Sequence, residues 1–178
     1  WPGWEGKPIE VEVYTKAPEV KLYLNDQLID TKQVSRETEF MAVFTIPYKA
    51  GTLRAEADGK SVTLKTAGEP ARLRLTPDRT VMAADGQSLT FVTVEVIDKN
   101  GWVCPNTPID CEAIVKGQGQ LLAFASADLK DTEPYTSPHV KTWKGRALLV
   151  VRSTQQKGSV SVSIKSSLPT ANLSLKSK

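Results

Sequence analysis

The stretch Leu89-Thr90-Phe91-Val92-Thr93-Val94-Glu95-Val96-Ile97, followed by Asp98-Lys99-Asn100-Gly101, decides how this chain folds. Val92, Val94 and Val96 alternate with Thr93 and Glu95, so the three valines share one face of an extended strand. β-Branched side chains are stiff at χ1 and suit a pleated surface. Asp-Lys-Asn-Gly then supplies the residues that tolerate the backbone angles of a tight hairpin turn.

The same grammar runs outward in both directions. After it, residues 109–115 alternate as a strand and end at Gly117-Gln118-Gly119; Ala147–Val151, then Val160/Val162/Ile164, then Leu173/Leu175 follow. Before it, Ala71, Leu73 and Leu75 alternate with Arg72 and Arg74, and Asp85-Gly86 marks a turn. Further upstream, Ile9, Val11 and Val13 oppose Glu10, Glu12 and Tyr14. Val20, Leu22 and Leu24 run into an Asn25-Asp26 turn, and Leu53, Ala55 and Ala57 run into an Asp58-Gly59 turn before Val62 and Leu64. Residues 39–47, EFMAVFTIP, are apolar on both faces and read as a central strand covered on both sides. No stretch carries an apolar period of 3.6 over ten residues.

The chain therefore reads as all-β. Gly68-Glu69-Pro70 interrupts the pattern and leaves a full set of strands on either side. The expected organisation is two tandem immunoglobulin-like antiparallel β-sandwich domains, residues 1–68 and 69–178. The first should hold six or seven short strands. Residues 126–144 have weak alternation and two prolines, and read as a long loop in the second sandwich.

Composition narrows the function classes. The 178 residues include 23 Lys/Arg against 20 Asp/Glu, a net charge of +3. Residues 1–68 hold nine and ten, giving −1; residues 69–178 hold fourteen and ten, giving +4. No dense basic patch with interleaved aromatics marks a nucleic-acid partner. No apolar run reaches the ~18 residues of a spanning helix. One His and two Cys speak against a His/Cys metal site, and nothing suggests a cofactor. The chain begins at Trp1, with a Trp-Pro-Gly-Trp that reads as a connector, so a piece of a longer or processed protein is expected. No signal peptide is visible at that terminus.

Catalytic chemistry finds few candidates. His139 is the only histidine, and no Gly-x-Ser-x-Gly elbow accompanies it, so it reads as a surface-loop residue rather than a triad base. Asp128, Asp131 and Glu133 cluster in the same loop, but not in the Asp-x-Asp-x-Asp-Gly spacing of a calcium loop; they read as solvated or amide-capping acids. Cys104 and Cys111 flank a Pro-Asn-Thr-Pro segment and are expected to be two free thiols. Trp1, Trp4, Trp102 and Trp143 remain, either as packing aromatics at sandwich ends or as platforms on which sugar rings stack.

Residues 1–30, WPGWEGKPIEVEVYTKAPEVKLYLNDQLID, resemble the segment that follows the catalytic barrel in bacterial members of glycoside hydrolase family 2. The family's V-x-L-x-L-N-G pattern stands here as Val20–Asn25 with Asp26 in place of Gly. Ala50-Gly51-Thr52-Leu53 and Lys65–Ala71 continue the likeness. Residues 73–79, 84–98, 145–153 and 158–167 are similar to the terminal immunoglobulin-like domain of those enzymes; residues 124–128, FASAD, depart from it. The resemblance implies a parent β-galactosidase or related β-glycosidase whose two catalytic glutamates lie on an upstream barrel. No position here corresponds to them. It also implies a periplasmic or cell-surface location, with the upstream catalytic domain as partner, and leaves carbohydrate and oligomer contacts open. A carbohydrate-binding module and an adhesin spacer are the competing readings.

Overall fold

The computed structural model describes residues 3–178, and among them every regular element is a strand. The chain divides into two compact units, one ending at Thr66 and the other running Ala67–Lys178.

The first unit holds β1 (Pro8–Tyr14), β2 (Glu19–Leu24), β3 (Gln27–Gln33), β4 (Met41–Pro47), β5 (Thr52–Ala57) and β6 (Lys60–Lys65). The expected turns form. Asn25 and Asp26 (φ 50° and 63°) join β2 to β3, and Asp58 and Gly59 (φ 49° and 69°) join β5 to β6. Both pairs have positive φ, the signature of the primed turn that matches strand twist. One sheet has the order β3-β2-β5-β6, and β1 and β4 form a separate antiparallel pair. Val20 and Leu22 from the larger sheet meet Ala42, Phe44 and Ile46 from β4, with Ile9, Val11 and Val13 packed around them.

Residues 39–47 are not a central strand covered on both sides. Glu39 and Phe40 have φ of 54° and 59° and make a turn, and β4 starts only at Met41. Its one strand partner is β1, and only Ala42, Phe44 and Ile46 are buried. On the other face of β4, Met41 and Val43 are only half-buried and Thr45 and Pro47 are exposed, so that face is not a second core face.

The second unit holds β7 (Pro70–Pro77), β8 (Val81–Met82), β9 (Leu89–Asp98), β10 (Asp110–Gly117), β11 (Gly119–Ala125), β12 (His139–Lys141), β13 (Arg146–Ser153), β14 (Gly158–Lys165) and β15 (Ala171–Ser177). The sheets run β11-β13-β9-β7 and β12-β10-β14-β15-β8. All pairings are antiparallel except β8 with β15. Val92, Val94 and Val96 are fully buried, facing a core that includes Leu149, Val151, Val160, Val162 and Ile164. Gly117-Gln118-Gly119 is the crossover between the two sheets rather than a hairpin within one. A Cβ on Gly119 would lie 2.5 Å from Val160 Cγ1, and one on Gly117 (φ +85°) 2.2 Å from the Ser159 carbonyl oxygen. Residues 126–144 include β12 and the tight turn after it, so this stretch is only partly loop.

Phe124 is almost fully buried in the second core. Phe124→Ala should cost about 3–5 kcal/mol, the range for a buried aromatic that leaves a cavity. Urea unfolding of the 178-residue chain checks this; a loss under about 1 kcal/mol would show that the core collapses around the site.

Candidate functional site

Two turns at one end of the second unit present the half-exposed indoles of Trp102 and Trp143. Trp102 closes the turn that begins at Asp98. The Asp98 carboxylate accepts backbone N–H groups from Asn100 and Trp102 on Oδ1 and from Gly68 on Oδ2, each at 2.9 Å. These bonds, that from Gly68 foremost, hold its pKa below the ordinary carboxylate value. Trp143 sits on a turn through Lys144 (φ 50°) and Gly145 (φ 74°), closed by reciprocal Trp143–Arg146 backbone bonds of 2.9 and 3.0 Å. The two turns are laced together through Val96, whose N–H donates to Gly145 O and whose carbonyl accepts from Cys104 N.

Glu95 clamps the same end. Its Oε2 accepts from Arg74 Nε and Nη2 at 2.9 and 2.6 Å, and its Oε1 accepts from Arg146 Nε at 3.1 Å. Arg74 also donates to Gly101 O at 3.2 Å, within the Trp102 turn. Partial burial works to raise the Glu95 pKa, but the Arg74 and Arg146 hydrogen bonds and charges outweigh it and hold the group ionised below its usual value. This Arg–Glu–Arg cluster escapes sequence reading because its members lie 21 and 51 residues apart. The one local hint was the outward-facing Arg72/Arg74 alternation.

Trp143 also lines an open cleft of about 970 Å³, between the 126–133 segment and the β12–β10 edge. Asp110, Glu112, Asp128, Asp131, Glu133, Lys130, Lys141, Lys165 and His139 line it as well. Asp128 Oδ1 accepts Lys130 N and Asp131 Oδ1 accepts Glu133 N, both at 3.0 Å, so these two acids cap backbone amides. Among the described residues, no group of three His, Cys, Asp or Glu side chains is placed to hold a metal ion. His139 is exposed on β12, opposite Glu112, and its backbone N–H donates to Ser137 Oγ. Trp4 is half-exposed in the first unit, with Lys7 Nζ 5.6 Å from its ring centroid. Trp1 lies outside the described residues.

Cys104 and Cys111 are buried free thiols. Cys104 Sγ lies 3.4 Å from Gly68 O, and Cys111 Sγ 3.7 Å from Ile109 O. Burial, reinforced by Asp110, pushes the Cys111 thiol up to about 11; burial, with Asp98 and Glu69 nearby, raises Cys104 too. Such thiols react slowly because the thiolate is the nucleophile. Intact mass should not change on reduction, and a disulfide reagent at neutral pH should label both cysteines only after unfolding. Rapid labelling of the native chain would contradict this.

Asp85 organises the turn before β9. It accepts Gln87 and Ser88 N–H on Oδ1 at 2.9 and 2.7 Å, and the Ser88 and Ser153 hydroxyls also donate to it. These bonds lower its pKa from 3.8 to about 2. A carboxyl whose folded pKa lies below its unfolded value stabilises the fold above the unfolded value and loses that contribution as pH falls through the folded one. Thermal stability should thus decline between about pH 4 and pH 2, and Asp85→Asn should flatten that decline. An unchanged pH profile in the variant would refute the assignment.

Residues 73–173 match the family model described as glycoside hydrolase family 2 C-terminal domain 5, and residues 6–63 match a domain of unknown function, DUF4982. The β-galactosidase BoGH2A of Bacteroides ovatus is 32% identical in an alignment of 167 positions that covers 89% of this chain and 20% of that protein. A solved glycosyl hydrolase family 2 member from Bacteroides cellulosilyticus superposes with a TM-score of 0.96 at 30% identity, over 100% of this chain and 24% of that one. A β-glucuronidase of glycoside hydrolase family 2 superposes at 0.86 and 25% identity, over 98% of this chain and 19% of that one. The chain thus spans 19–24% of the length of these relatives, each of which carries the region within a larger polypeptide. With the first model matching more than half of its residues, the chain belongs to the glycoside hydrolase family 2 C-terminal domain 5 family.

Proposed function

We propose that this chain is the non-catalytic C-terminal region of a β-galactosidase or related β-glycosidase, and that it supports the stability and substrate access of a catalytic domain elsewhere in a longer polypeptide. The observation that carries this reading is the superposition of the whole chain on about a quarter of a family 2 glycosidase. A (β/α)₈ barrel needs roughly 250 residues, more than this chain has. The chemistry on the page agrees: Asp128 and Asp131 of the cleft cap backbone amides, and Glu95 is neutralised between two arginines. Deleting the region from the full-length enzyme should lower its thermal midpoint or its kcat/KM, whereas unchanged stability, assembly and kinetics would sink the proposal. The isolated chain should release no nitrophenol from nitrophenyl β-glycosides; reproducible turnover by pure material would count equally against it.

Carbohydrate contact is a second, narrower proposal. It is motivated by the half-exposed Trp143 indole at the wall of a cleft rich in carboxylates and lysines, where a sugar face stacks and its hydroxyls find partners. Calorimetry with neutral plant and host oligosaccharides should then show binding that Trp143→Ala abolishes; no heat across the set would discard it. Export to the periplasm or cell surface remains our inference from the bacterial enzymes that the sequence resembles, and fractionation of the source cells would test it.

A further inference from the structure

The end of β13 remote from the Trp143 turn borders a second, smaller recess of about 370 Å³. Its polar wall comes from three places: Gln118 and Gln120 at the β10–β11 crossover, Arg152 near the end of β13, and Thr154, Gln155 and Gln156 in the turn before β14. Among the described residues that line it, none is acidic and Arg152 is the one cation. The orientation of the amides follows from their partners. A guanidinium only donates, so Gln120 turns its Oε1 to Arg152 Nη2, at 3.1 Å. Thr154 Oγ1 accepts the Gln156 N–H at 3.2 Å and gives its own proton to Gln118 Oε1 at 2.8 Å. With both carbonyl oxygens occupied, the NH2 groups of Gln118 and Gln120 and the other Arg152 nitrogens are left as donors. Two glycines make room for the glutamine stems. A Cβ on Gly158 would lie 2.8 Å from Gln118 Cγ, and one on Gly86 3.2 Å from Gln155 Cγ.

We propose that this recess binds a sugar acid, its carboxylate held by Arg152 and the NH2 groups of Gln118 and Gln120, and its hydroxyls by the amides of Gln155 and Gln156. A lone guanidinium with no acid beside it in the lining matches one negative charge, and N–H donors around it suit the two oxygens of a carboxylate. The Gln155 and Gln156 side-chain amides each offer a donor and an acceptor, the combination that a sugar hydroxyl pairs with. The volume falls within the roughly 300–1,000 Å³ of small-molecule sites, and the tip of one protein Asp or Glu would leave both of those amides unused. Among the described lining residues none is aromatic, so polar contacts alone hold the ligand, unlike at the Trp143 cleft. The recess stands on its own donors and goes beyond the glycosidase reading.

Nitrogen–proton correlation NMR of the 178-residue chain tests the proposal, because it sees glutamine side-chain NH2 groups directly. At constant ionic strength, sodium glucuronate should shift the Gln118 and Gln120 NH2 signals saturably, with a Kd of about a millimolar for a ligand of this size. Methyl glucoside, which lacks the carboxylate, and sodium acetate and lactate, which lack the sugar ring, should bind about tenfold more weakly or less. Arg152→Gln should abolish the saturable shifts, whereas Arg72→Gln, which removes an exposed charge outside the recess, should keep them. Equal affinity for acetate or lactate would assign the recess to carboxylates at large, a partner protein's Asp or Glu included, and overturn the sugar. Equal affinity for methyl glucoside would overturn the carboxylate. No saturable shift of either amide with glucuronate, or undiminished binding by a folded Arg152→Gln chain, would overturn the proposal as a whole. Glycosidase activity enters none of these outcomes and tests the functional reading separately.

Discussion

An apolar sheet face has to be roofed, and the structure of each unit follows from how far that demand is met. In the second unit the row Val92, Val94, Val96 on β9 meets β14 side chains such as Val160, Val162 and Ile164, all fully buried. Each such side chain contributes about 1.5–3 kcal/mol when taken out of water. That gain fixes the register of β9 against both neighbours, because a one-residue slip would turn the valines to solvent and Thr93 and Glu95 inward. In the first unit a two-stranded sheet covers only part of a four-stranded one. Its six core residues are roofed, and β6 lies beyond the cover.

Once register is fixed, polar groups complete the ends. Asp98 satisfies backbone N–H groups of Gly68, Asn100 and Trp102, tying the start of the second unit to the β9 turn. Glu95 draws Arg74 and Arg146 onto the outer face of the same sheet, and these contacts hold the two tryptophan turns beside each other. Such a site is built by strands that are distant in sequence and by charge that partial burial strengthens. Its indoles are half-exposed on two hydrogen-bonded turns.

The period-two rows, the Asn25-Asp26 and Asp58-Gly59 turns and the Asp98–Gly101 turn were all legible in the sequence, because each rests on neighbours two to four residues apart. The family was legible too, from ordered motifs spread along the chain. Residues 39–47 misled because an apolar residue does not state whether a second sheet lies behind it. The two-residue β8 was invisible because its parallel pairing to β15 joins Val81 to Lys176. The tryptophans could be named from the sequence, but not the cleft that includes Trp143 or the clamp behind it.

The sequence by itself determined the class of structure, since side-chain alternation and left-handed turn residues are local properties that dictate strands and hairpins wherever they stand. It also pointed to two free thiols, with Cys111 as a small apolar occupant of a strand pattern, and both are buried and unpaired in the structure. Tertiary structure alone decided which faces are covered. Val62 and Val94 are alike as residues in alternating strands, yet one is 70% exposed and the other fully buried. Burial is a property of what packs opposite, and in each sandwich that opposite sheet comes from elsewhere in the chain.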